Sequence, residues 1–108
     1  MVASRKTSGR PPRKLVWTAR ALRDLRDIDA YIAADDPAAA ARWVDRLLAG
    51  AERAARFPYS GHVVRERGRD DLRQVLVRSY RIVYLVRERQ VDVLTVFEGH
   101  HLLPKDMG

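Results

Sequence analysis

Residues 72–97 read LRQVLVRSYRIVYLVRERQVDVLTVF, and this run decides the fold. Three stretches, 72–78, 80–87 and 91–97, are rich in β-branched residues, partly alternating, and separated by short polar breaks. They predict three consecutive strands, with Glu88-Arg89-Gln90 as the hairpin connection between the last two. Links this short make an antiparallel meander. Alternation then sorts the side chains. Ile82, Tyr84 and Val86 share one face, and Arg81, Val83, Leu85 and Arg87 the other. In the preceding strand Arg73, Val75 and Val77 go together, opposite Leu72, Gln74, Leu76 and Arg78. Several arginines on neighbouring strands offer an anion-contacting surface.

Upstream the period changes. Residues 13–17 (RKLVW) predict a short strand, placed at an edge of the meander or between its members. Thr18 follows as a helix N-cap, and Leu22, Leu25, Ile28 and Ile32 recur at three- or four-residue steps, which predicts an amphipathic helix over 19–33. Arg20/Asp24 and Arg23/Asp27 are i,i+4 pairs, read as a solvated outer surface worth ~0.3 kcal/mol each. Asp36 and Pro37 supply the cap and first position of a second helix, expected over 37–56, about 30 Å long. Its apolar stripe holds Trp43, Val44, Leu47 and Leu48 with several alanines that permit close approach. So short a link folds the two helices into an antiparallel hairpin. Phe57-Pro58-Tyr59-Ser60-Gly61 ends the second helix, and residues 62–71 show no clean period, a short strand or a loop. The order is β-α-α-β-β-β: an α+β domain with a helical hairpin on one face of a small, mainly antiparallel sheet.

The chain has 108 residues, room for one such domain. Residues 1–12 are polar and basic and predict a disordered arm; 13–104 form the domain and 105–108 a tail. With no cysteine there is no disulfide, thiolate nucleophile or cysteine-held metal, which suits a reducing cytoplasm. No apolar run is long enough for a membrane span, and no apolar stretch follows the basic start as a secretory signal requires. Net charge is +7 and unevenly spread. The arm is purely basic, residues 15–61 balance, and residues 62–89 set eight arginines against four acids. Such a field attracts a polyanion or an acidic protein.

The string Phe57-Pro58-x-x-Gly61, then Val63-Val64-x-Glu66, Leu72-Arg73, Tyr80-Arg81-Ile82-Val83-Tyr84 and Val93-Leu94-x-Val96 resembles the RelE/ParE superfamily of bacterial toxins. Trp17-Thr18, Ala21, Leu25 and Ile28 on the first helix, and Pro37 with Ala41 on the second, agree with it. The resemblance spans about residues 13–104 and is closer to the ParE-like branch, through Gly61 to Glu66 and the Tyr80–Tyr84 strand. It implies the toxin of a type II toxin–antitoxin module, neutralised by a cognate acidic antitoxin. Leu22, Leu25, Trp43 and Leu47 are then the expected antitoxin contacts.

Two activities follow from the resemblance. A ParE-like toxin blocks DNA gyrase without cleavage chemistry. A RelE-like toxin cuts messenger RNA on the ribosome, which needs a charge-neutralising cluster and an acid–base pair. Arg73 and Arg81 are the matched arginines, with Arg78 nearby as a further anion contact. His100 and His101 are the acid–base candidates. A third reading is a relative that keeps only antitoxin binding. No cofactor and no metal site are expected, because adjacent histidines do not readily converge on one ion and His62 is remote.

Overall fold

The computed structural model describes residues 13–99. The predicted arm, His100, His101 and the tail lie outside them. Strand β1 (Lys14–Trp17) leads into helices α1 (Ala19–Ala33) and α2 (Pro37–Arg56), then a 3₁₀ turn at Pro58–Ser60. Strands β2 (His62–Val63), β3 (Leu72–Val77), β4 (Tyr80–Val86) and β5 (Gln90–Glu98) follow. The α+β order and the hairpin on a mostly antiparallel sheet agree with the sequence.

The sheet order is β1-β5-β4-β3-β2. The first strand therefore takes an edge, and it runs parallel to the last, with Lys14 beside Gln90 and Trp17 beside Val93. The hairpin carries the chain across one face of the sheet to the opposite edge, and the meander returns strand by strand. Both helix starts are capped as their sequences require: Ala21 N–H donates to Thr18 Oγ1 and Ala39 N–H to Asp36 Oδ1, each at 3.1 Å.

The main core lies between hairpin and sheet. Ala21, Leu25, Leu47 and Ala51 meet Tyr80, Ile82, Val93 and Val96, and the layer continues through Ala54, Ala55, Tyr84, Val86 and Val91. Small residues let the helix approach closely. At Gly50 an added Cβ would stand 2.7 Å from Val77 Cγ2. The unperiodic segment 62–71 yields only two strand residues and then folds over the other face. There the fully buried Val64 packs on Leu72 and Val83, with Leu85, Leu94 and Phe97 around them.

Two local features depart from the sequence reading. Strand β5 bulges at Leu94, because Tyr84 pairs with Val93 and Val83 with Thr95. Thr18 seals the irregularity: its hydroxyl donates to Val93 O at 2.7 Å while accepting from Ala21. Asp24 is not merely part of a solvated pair. Beyond Val93, β5 has no β1 residue beside it, and the Asp24 Oδ2 atom fills that place. It accepts from Thr95 Oγ1 at 2.6 Å and Val96 N–H at 3.0 Å, while Arg20 Nε lies 3.4 Å from its other oxygen.

The turn Arg78-Ser79 joins β3 to β4 with Arg78 at φ 58°. That conformation costs a residue with a Cβ about 1 kcal/mol. Arg78→Gly is expected to raise stability by roughly 0.5–1 kcal/mol, read as a higher urea midpoint with unchanged slope. A lower midpoint would show that the arginine side chain contributes more than its backbone costs.

Candidate functional site

The hairpin register separates the two arginines that the resemblance singles out. Across β3 and β4, Arg73 pairs with Tyr84 and Leu76 with Arg81. Side chains of paired residues share a face. Arg73 therefore stands on the helix-covered side and Arg81 on the opposite side, about three residues, or ~10 Å, apart along the strand direction. They do not converge on one anion. A two-residue turn implies this register from sequence alone, since pairing Val77 with Tyr80 places Arg73 against Tyr84.

Arg73 is an internal clamp. Its Nε donates to Asp70 O at 2.8 Å, Nη2 to Asp70 Oδ1 at 2.7 Å, and Nη1 to Gly61 O at 3.0 Å and Tyr59 O at 3.3 Å. The guanidinium also lies over the Tyr59 ring at 5.0 Å, and Arg13 lies over that ring at 5.8 Å. All three guanidinium nitrogens are thus engaged in holding the segment after α2. Beneath it, the Tyr84 hydroxyl donates to Pro58 O at 2.6 Å. The spacing of Pro58 and Gly61 has a physical reason here: Pro58 is the buried acceptor, and Gly61 leaves room for the phenol.

Burial pushes the Tyr84 phenol up to about 12, although the Arg73 charge pulls the other way. Burial also raises Tyr80, helped by the Glu98 carboxylate. A raised tyrosine pKa means the folded state keeps its proton while the unfolded chain loses it. The stabilisation is fully present below pH ~10 and is lost as pH rises towards 12. The urea midpoint is expected to hold flat to about pH 10 and then fall, and to fall less steeply in Tyr84→Phe.

Arg81 faces the side away from the helices. It lies over the Phe97 ring at 5.4 Å, donates from Nη2 to Gly99 O at 3.3 Å, and has Nη1 3.7 Å from Glu66 Oε2. Its Nη1 and Gln74 Oε1 are buried atoms with no hydrogen-bond partner among the described residues. Both sit on the same face of adjacent strands. Gln74 escaped the sequence reading, for a glutamine in a strand carries no signal. Arg78 is exposed in its turn. His100 and His101 lie outside the described residues.

The four expected antitoxin contacts divide. Leu25 and Leu47 are in the core, Leu47 with no exposure at all. Leu47 packs against the sheet, while Leu25 reaches both the core and the outer groove described below. Leu22 is 41% exposed. Trp43 is half-buried, edge-on to Tyr80 at 5.3 Å, with Arg46 over its ring. Outside the hairpin a groove of about 310 Å³ runs past Leu25, Ala41 and Val44, rimmed by Arg26, Asp29 and Asp45. Among the described residues no cluster of histidine and carboxylate side chains is placed to hold a metal ion, and no helix is long and apolar enough to cross a membrane.

A helical hairpin on a five-stranded mixed sheet defines a small α+β domain, with the two matched arginines on opposite faces. The family described as ParE toxin of type II toxin–antitoxin system, parDE, matches residues 15–102. The chain belongs to this family. It is 39% identical over 93 residues to Y4kP of Sinorhizobium fredii, named as a candidate toxin, covering 86% of this chain and 95% of that one. It is 35% identical over 83 residues to Toxin RelE2 of Caulobacter vibrioides, covering 77% and 91%. Its fold is similar to a chain of the chromosomal ParDE toxin–antitoxin system from P. aeruginosa, with TM-score 0.65, 19% identity, and coverage of 80% and 95%.

Proposed function

We propose that this toxin is held by an acidic cognate antitoxin in the cytoplasm and, once free, inhibits DNA gyrase by binding it. The observation that supports binding over RNA cleavage is the separation of Arg73 from Arg81, with Arg73 committed to the loop carbonyls. A phosphorane carries its developing charge at one point, and neutralising it takes donors that converge there. The two matched arginines do not. A stable protein surface, by contrast, needs no such convergence. The test is direct: purified toxin is expected to stop gyrase supercoiling of relaxed plasmid while translated transcripts keep their original 5′ ends. New 5′ ends within codons, with supercoiling untouched, would reverse the assignment.

One observation favours the second reading, a ribosome-dependent endonuclease. Arg81 touches Gly99, and His100 and His101 come next in the chain. In that case Arg81→Ala should abolish cleavage, whereas Arg73→Ala should act mainly by lowering stability.

A further inference from the structure

We infer that the groove between α2 and the outer edge of β3 takes an acidic, extended segment of the neutralising partner as an added strand, hydrogen-bonded to Leu76. The inference rests on the toxin–antitoxin reading above and says where and in what form the partner binds. It starts from an unfinished edge. Strand β2 covers β3 only where His62 meets Gln74 and Val63 meets Arg73. Before His62 the chain has left the sheet for its 3₁₀ turn. The two-residue turn at Arg78-Ser79 makes Val77 and Tyr80 a mutually bonded pair, so by alternation the N–H and C=O of Leu76 point away from β4. No described strand lies on that side of Leu76. Leu76 as a whole is 64% exposed. Edges of this kind are templates for a further strand.

Beside the edge runs a groove of about 430 Å³ with Gly50, Ala54, Val75 and Val77 in its floor and Arg46 and Arg53 at its rim. The two arginines are seven residues apart on α2, ~10.5 Å along the axis. Neither has an ion-pair partner among the described residues. Arg46 is already held over the Trp43 ring at 5.4 Å. Same-side positions of a strand fall every ~6.8 Å, so carboxylates two or four residues apart bracket the arginine spacing. Small apolar side chains between them meet the floor. The hairpin's outer groove suits such a segment poorly, since Asp29 and Asp45 outnumber Arg26 on its rim. A helix in the α2–β3 groove would leave the Leu76 backbone groups without partners, whereas a strand satisfies both.

The experiment is amide hydrogen exchange on the full chain, alone and mixed with its cognate antitoxin. Peptides spanning 74–78 are expected to slow at least tenfold in the complex. Arg46→Glu/Arg53→Glu is expected to weaken the complex at least thirtyfold while the free protein stays folded with a modestly lower thermal midpoint, and Arg26→Glu to leave the complex within threefold. Leu76→Pro, which removes the outward N–H, should weaken it tenfold; the charge variants decide the matter if that protein does not fold. A complex that forms with unaltered exchange at 74–78, and that tolerates both charge reversals on α2, would overturn this inference while leaving the toxin reading intact. No complex at all would overturn the toxin reading and the inference with it.

Discussion

Gly61→Ala is expected to cost about 3 kcal/mol and lower the melting temperature by about 15 °C. An added Cβ there would collide with the Tyr84 hydroxyl and stand 2.9 Å from Gln74 O. Neither neighbour can give way cheaply. The phenol is fixed by its bond to Pro58 O inside a fully buried ring, and Gln74 O belongs to the sheet backbone. The two causes can be separated by a double-mutant cycle. Tyr84→Phe alone should cost about 1–2 kcal/mol, since it leaves the Pro58 carbonyl unpaired. In that background Gly61→Ala should cost about half as much as in the parent, because one of its two obstacles is gone. Strict additivity of the two changes would show that the phenol is not what excludes a side chain at position 61.

Asp24→Ala is the second large effect, expected to be about 2–3 kcal/mol destabilising. Its carboxylate accepts from a hydroxyl and from a backbone N–H, and hydrogen bonds to a charged group are each worth more than neutral ones. The alanine protein leaves the Val96 N–H and the buried Thr95 hydroxyl to find other partners. Asp24→Asn keeps one acceptor oxygen and should cost about 1 kcal/mol. A matching Arg20→Ala should cost well under 1 kcal/mol, as an outer i,i+4 partner does. If Asp24→Ala and Arg20→Ala were equally mild, the carboxylate would be acting as a surface ion-pair partner only. Urea denaturation of the three variants distinguishes these outcomes.

Much of this architecture was legible because local rules and the fold agree. Thr18, Asp36 and Pro37 mark the helix starts, and the alternation from Leu72 to Val86 assigns each side chain to the face it occupies. The failures have identifiable causes. The bulge at Leu94 has no marker in a run of β-branched residues, and it shifts the face of everything after it. Asp24 looks like any i,i+4 partner of Arg20, because its second role depends on β5 ending up beside α1. Leu25 and Leu47 lie on the apolar stripes that periodicity finds, but periodicity alone does not say whether a stripe is used by the chain's own sheet or by another protein. The arginines were the recoverable case. Counting back from the Arg78-Ser79 turn puts Arg73 and Arg81 on opposite faces, whereas treating them as a set by residue type alone hides it.

The pairing of the first strand with the last also governs how the domain comes into being. Lys14–Trp17 precedes both helices in the chain but, among the described residues, finds its strand partner only at Gln90–Val93. Contacts this distant in the chain slow folding, because loop-closure entropy is lost before the contact returns anything. Both hairpins of the meander form locally; the closing step, β1 onto β5, is the long-range one. A nascent or truncated chain that stops before residue 90 therefore has helices and a partial sheet but one strand without a place. The complete sheet exists only once residues 90–93 are in place, so the edge that β1 forms is the last part of this sheet to be set.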